Sequence, residues 1–124
     1  MEERSQLRFD LQTRILYKTY SGELNAQVVI NAWEEDFERN EVPDVFVGLI
    51  VDYRKATIKA DLKEHALVVE YYRKHSGVFG GRRIAIVVQD PKDIVFTILF
   101  EKKSKGLMVR NFNTIEAAEH WILS

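Results

Sequence analysis

The chain has no cysteine among its 124 residues, which removes disulfides, thiolate catalysis and Cys-ligated zinc or iron–sulfur centres from consideration. It is also poor in breakers. Two prolines and six glycines leave little scope for long coil, and no repeat or low-complexity tract divides the chain. No apolar stretch approaches the roughly 20 residues that a bilayer-spanning helix needs, so no membrane span is expected. Met1-Glu2-Glu3-Arg4 offers no apolar signal-peptide core, and a cytoplasmic protein is the expectation. The 18 basic and 19 acidic side chains leave a formal charge of -1, without the basic field that draws proteins to nucleic acid. What is present is 46% hydrophobic residues, enough for one globular domain over residues 1–124 with its own core.

Two apolar runs dominate that core, Val45 to Val51 and Ile84 to Val88, both short and rich in β-branched residues. They read as buried central strands of a parallel sheet. Leu7 to Phe9 and Ile15 to Tyr20 alternate as strands around a turn at Asp10 to Arg14, and Gly22 is expected to end the second. Asn25 is a candidate N-cap for a helix carrying Val28, Val29, Trp33 and Phe37 at helical spacing, with Pro43 closing the connection. Lys55 to Ala60 reads as a loop or short extra strand. Asp61 with Glu64 forms an acidic capping box for a second helix that would bury Leu62, Ala66 and Val69 and end at a left-handed Gly77. Asp90-Pro91 starts a third helix through Ile94, Ile98 and Leu99. Leu107 to Phe112 is the last strand, and Asn113 or Thr114 caps a final helix with Ile115, Ala118, Trp121 and Ile122.

The order β-β-α-β-α-β-α-β-α predicts an α/β fold of four or five mostly parallel strands with an antiparallel edge and about four helices. Four stretches carry a resemblance in the same order: Ser21-Gly22-Glu23-Leu24-Asn25, Val51-Asp52-Tyr53-Arg54-Lys55-Ala56, Ile84-Ala85-Ile86-Val87-Val88, and Ile115-Glu116-Ala117-Ala118-Glu119-His120-Trp121-Ile122. Together they resemble a SpoIIAA-like protein of the STAS/CRAL-TRIO-related group. The resemblance implies a SpoIIAA-like sandwich with helices mainly on one face. It also implies either of two roles: a regulatory module that binds partner proteins, as STAS relatives do, or a carrier of lipophilic ligands, as CRAL-TRIO relatives are. STAS relatives can be phosphorylated on a serine after the central strand. Here that stretch reads Asp52-Tyr53-Arg54-Lys55-Ala56-Thr57, without a serine, and no phosphorylation site is assigned.

Ligands of parallel sheets gather past the carboxyl ends of the strands, which makes Asp52, Arg54 and Asp90 the candidate ligand- or partner-binding residues. A carboxylate there can accept bonds from a ligand, and a guanidinium can hold an anion bidentately. The competing role for Asp52 is to cap local amides with Arg54 as its ion-pair partner, and at strand ends that is the commoner arrangement. His65, His75 and His120 lack the spacing of a metal triad. His75 is placed at a helix end and the other two on exposed helix surface. None of the five serines lies in a Gly-x-Ser-x-Gly setting, so no catalytic residue, metal or cofactor is assigned and an enzyme is not expected. Gly77-Val78-Phe79-Gly80-Gly81-Arg82-Arg83 precedes a strand and lacks the Gly-Lys-Ser/Thr ending of a phosphate loop.

A basic set (Arg82, Arg83, Lys102, Lys103, Lys105) faces an acidic one (Glu34, Glu35, Asp36, Glu38, Glu41, Asp44), a pattern that suits steering of protein association, including head-to-tail self-association. Apolar residues on more than one helix face, Phe96 and Phe100 among them, suit core or interface. The expectation is a non-catalytic binding or regulatory module acting by protein association or self-association. The alternative is a carrier or sensor of a small lipophilic or anionic ligand at the carboxyl end of the sheet.

Overall fold

The structure, a computed structural model, describes residues 4–93 and 106–124. The hairpin β1 (Ser5–Phe9) and β2 (Ile15–Leu24) is followed by α1 (Ala26–Glu38), β3 (Gly48–Ile58), α2 (Leu62–Lys74), the single turn α3 (Ser76–Phe79) and β4 (Arg83–Val87). β5 (Met108–Phe112) and α4 (Ile115–Leu123) complete the described chain. Short-range chemistry explains most of these boundaries. Asp10 Oδ1 accepts from the Gln12 and Thr13 amides and shapes the hairpin turn. Asn25, Asp61 and Thr114 each accept from the amide three residues on, capping α1, α2 and α4 as their side chains predict. Asp90 holds the Lys92 amide and begins a helical turn over 91–93. The rest of the third predicted helix, with Ile94, Phe96, Ile98, Leu99 and Phe100, lies outside the described residues, as do Lys102, Lys103 and Lys105.

The five strands form one sheet in sequential order, β1 antiparallel to β2 and the others parallel. Right-handed connections that each step to the next neighbour land on the same face, and α1 and α2 do so. Side-chain alternation then divides the core. Leu16, Tyr20, Leu49, Val51, Ile84 and Ile86 pack under α1 and α2, against Val29, Trp33, Val69 and Tyr72. Ile15, Tyr17, Ile50, Ala85 and Val87 turn to the other face, which α4 covers with Ala118 and Ile122. Close approach of α4 depends on Gly48, where a Cβ would meet Ile122 Cγ2 at 2.6 Å and the Arg83 carbonyl at 3.0 Å.

Several expectations are corrected. β2 does not stop at Gly22 but runs to Leu24, with Gly22 at a positive φ of 78° inside the strand. The first apolar run does not end its strand at Val51, for β3 continues through Ile58, and of the two readings of Lys55 to Ala60, loop or short extra strand, Lys55–Ile58 is strand, joined to β3. Val45 to Val47 precede β3. The α2 face is rotated from the predicted one: Leu62 and Ala66 are exposed, while His65, Val69, Tyr71 and Tyr72 are buried. Gly77 lies inside α3, and His75 caps α2. His65 is therefore not a surface histidine.

One buried ion pair crosses the α1 face. Lys18, fully buried in β2, donates to the Asp36 carboxylate of α1 and to Ser5 Oγ of β1 at 3.2 Å. Its ammonium lies 5.1 Å from the Trp33 ring centre and 5.5 Å from that of Tyr20. Burial pulls Lys18 below the usual lysine range, and the Asp36 bond opposes that pull. Around it, Trp33 donates to Tyr72 Oη at 2.9 Å and meets Phe79 edge-on with centroids 5.1 Å apart.

Two outcomes follow from this packing. Gly48→Ala is expected to lose about 1–3 kcal/mol in urea unfolding, because the added methyl forces α4 off the sheet. All five tyrosines, Tyr17, Tyr20, Tyr53, Tyr71 and Tyr72, are held above their ordinary value of 10.0, chiefly by burial, with Tyr17 pushed up to about 12. The folded state then keeps protons that the unfolded state releases, so stability is full below pH 10 and falls as pH rises beyond it. Alkaline titration followed by near-ultraviolet phenolate absorbance should show no ionisation in the folded chain at the ordinary value. A normal titration of even one tyrosine would contradict this packing.

Candidate functional site

At Asp52 the sheet changes width. β4 ends opposite it, at Val87, while β2 and β3 run on as a two-stranded parallel ribbon to Leu24 and Ile58. The register steps from Thr19–Asp52 to Ser21–Lys55, so Tyr53 and Arg54 together oppose Tyr20 in a bulge on β3. The extra residue shifts side-chain parity. Leu49, Val51 and Tyr53 face α1 and α2 before it, and Ala56 and Ile58 do so after it.

The bulge accounts for Asp52 and Arg54. Asp52 Oδ1 accepts from the Arg54 backbone amide and from Arg54 Nε, both at 3.0 Å, and Oδ2 accepts from Nη2 at 3.0 Å. Asp52 is 7% exposed, and the Arg54 side chain is 39% exposed. The Asp52 hydrogen bond, seconded by its charge and by that of Glu116 on α4, raises the Arg54 guanidinium above its usual range. The pair is a closed two-residue unit that satisfies the amide of the bulge. By alternation from Ile50 it lies on the α4 face.

Asp90 does not join that pair. Its carboxylate turns onto the Lys92 amide, and its charge acts on Asp93. Asp93, which sequence reasoning passed over, is 3% exposed and accepts from the Ile58 amide at 3.3 Å, tying the chain after β4 to the tip of β3. Burial raises its carboxyl above the ordinary value of 3.8, with Asp90 adding to the effect and the Ile58 bond opposing it. The three predicted site residues are thus two separate features, the Asp52–Arg54 pair at the bulge and Asp90 at the helical turn after β4.

The α1 and α2 face of β2 and β3 holds a cavity of about 50 Å³ between the amino ends of the two helices, lined by Leu24, Ala26, Val29, Tyr53, Ile58 and His65 among others. Glu64, which the capping box would direct to its own helix, reaches the Ala26 amide at 3.4 Å and links the two helices. His65 was missed as a wall residue because a polar residue in the first turn of an amphipathic helix resembles its solvent face.

Three members of the charged sets predicted to steer association, Asp36, Arg82 and Arg83, are used within the molecule. Asp36 belongs to the Lys18 pair. Arg82 donates to the carbonyls of Val78, Phe46 and Asp44 and stacks on Phe46 at 4.1 Å. Arg83 donates to Trp121 and Ser124, holding the end of α4. Among the described residues no helix is long and apolar enough to cross a membrane, and no three His, Asp or Glu side chains converge as metal ligands. Asp52→Ala is expected to lower stability by about 1–2 kcal/mol, the cost of leaving a partly buried amide and guanidinium without their acceptor. The loss should appear in denaturant unfolding, and Asp52→Asn should recover part of it through one retained acceptor.

No family model and no curated protein sequence matches the chain. Among solved structures it is similar to the crystal structure of an uncharacterized protein of the DUF3478 family from Shewanella loihica PV-4, described as having a SpoIIAA-like fold. The two superpose with a TM-score of 0.62 over 95% of this chain and 91% of that one, at 14% sequence identity. At that identity the likeness speaks for the path of the backbone. The sequential mixed sheet, the antiparallel first strand and the helix order agree with it, and the chain has a SpoIIAA-like fold.

Proposed function

We propose that this chain is a cytoplasmic, non-catalytic binding module that acts by association with another protein, which seats on the amino end of its parallel strands. One observation carries the reading. Of the large apolar side chains exposed among the described residues, Leu11, Val45, Val47, Met108 and Leu123 belong to segments that meet at that end. Leu11 is in the β1–β2 turn, whose Arg14 carbonyl accepts from the Val47 amide at 2.9 Å. Met108 opens β5, and Leu123 sits beside the α4 terminus that Arg83 anchors to the start of β4. Exposed apolar side chains brought to one end of the sheet from several segments have the composition of a protein-binding surface.

The carrier or sensor reading draws its support from the apolar cavity beside His65. At about 50 Å³ that cavity has room for a few water molecules, whereas ligand pockets enclose about 300–1,000 Å³. The polar groups at the carboxyl end are committed to the bulge and the helix caps. Association is therefore the better-supported of the two.

Native mass spectrometry of the tagged chain purified from its own cells separates them. A protein complex that Val45→Asp/Val47→Asp disperses and Asp52→Ala retains is the expected result. A stoichiometric small molecule with no protein bound would overturn the association reading and favour the carrier.

A further inference from the structure

We propose that the free edge of β1 pairs antiparallel with the same edge of a second copy, joining two five-stranded sheets into one of ten. This goes beyond the amino-end association, placing a second copy on a different surface and naming its register. The sheet begins at β1, and no described strand lies beyond it. The Ser21 amide donates to the Arg4 carbonyl at 2.9 Å and the Asp10 amide to the Ile15 carbonyl at 3.0 Å, so Arg4 and Asp10 direct their backbone groups at β2. Antiparallel ladders alternate, which gives Gln6 and Arg8 the same orientation and turns the amides and carbonyls of Ser5, Leu7 and Phe9 to the open edge.

A two-fold pairing must match outward residues with outward residues, and the registers that do so over more than one residue of β1 are centred on Gln6, Leu7 or Arg8. Charge decides among them. Centring on Gln6 sets Arg4 opposite Arg8 of the other copy, twice. Centring on Arg8 sets the two Arg8 side chains against each other. Centring on Leu7 sets Arg4 opposite Asp10 twice, Gln6 opposite Arg8, Ser5 opposite Phe9 and Leu7 opposite itself. That register alone places opposite charges together and like charges apart, and cross-strand pairs of this kind favour one register over another. Leu7 and Phe9 already pack half-buried against the α1-side core, so pairing at Leu7 also joins two apolar surfaces.

The absence of cysteine makes the register directly testable. Directly opposed residues in a hydrogen-bonded antiparallel pair have Cα atoms about 5.5 Å apart, inside the range of about 4.4–6.8 Å that a disulfide accepts. Under mild oxidation Leu7→Cys should yield a covalent dimer of twice the 14.5 kDa chain on a non-reducing gel, whereas Gln6→Cys, placed opposite Arg8, should not. Sedimentation equilibrium of the unaltered chain should give the dimer mass. Leu7→Pro, which removes an outward amide that β2 does not use and leaves the Ser5 acceptor of Lys18 in place, should give the monomer mass with an unchanged circular dichroism spectrum. A monomer at all concentrations would overturn self-pairing and leave binding to another protein standing. A dimer that Leu7→Pro leaves intact and Leu7→Cys does not trap would overturn the β1 edge as its site.

Discussion

The buried pair of Lys18 and Asp36 is the constraint on which the α1 side of the fold depends. A lysine at the centre of β2, out of contact with water, requires a counter-ion at a fixed point above the sheet, and only one rotation of α1 supplies it. That rotation brings Trp33, one turn earlier on the same helix face, over the sheet. The indole N–H then selects Tyr72 as its acceptor and so fixes α2, and Phe79 closes the cluster from α3. Ser5 Oγ extends the same arrangement to β1. Ion pairs of this kind add little net stability against a well-packed apolar substitute, and removing one partner alone costs about 3–5 kcal/mol. Their effect is on which packing forms.

The opposite face obeys a steric rule. α4 lies against β3 because Gly48 lacks a side chain, and Arg83 fastens the end of that helix by its terminal carbonyls. The two faces thus carry different kinds of specification, a charge on one and a missing methyl on the other. Both leave the carboxyl end with groups committed to structure. Asp52 and Arg54 serve the bulge, Asn25 and Glu64 serve the start of α1, and Asp93 ties the chain after β4 to β3.

Much of the fold was legible because it is written in local chemistry. The hairpin, the caps at Asn25, Asp61 and Thr114, and the two apolar strands each follow from a few adjacent residues. The outer half of β3 was not. Its bulge shifts the parity of the alternation, so Tyr53, Ala56 and Ile58 share a face without showing a period of two, and Lys55 to Ala60 read as a loop or short extra strand after a strand ending near Arg54. Lys18 and Asp36 were hidden for a related reason. Each is a charged residue in an amphipathic pattern, and only the crossing of β2 beneath α1 reveals that both point inward. Asp52 and Arg54 were found as a pair, but a strand end in sequence proved to be the middle of a strand in space.

Under the proposed association the chain binds through the amino end of its strands, while the polar groups at the carboxyl end serve the bulge and the helix caps. Amide hydrogen exchange on the complex isolated from cells, compared with the free chain, tests this most directly. The account predicts new protection over 44–48 and at Met108 and Leu123, with the walls of the small cavity, Leu24 to Ala26 and His65, unchanged. New protection confined to those cavity walls would contradict it.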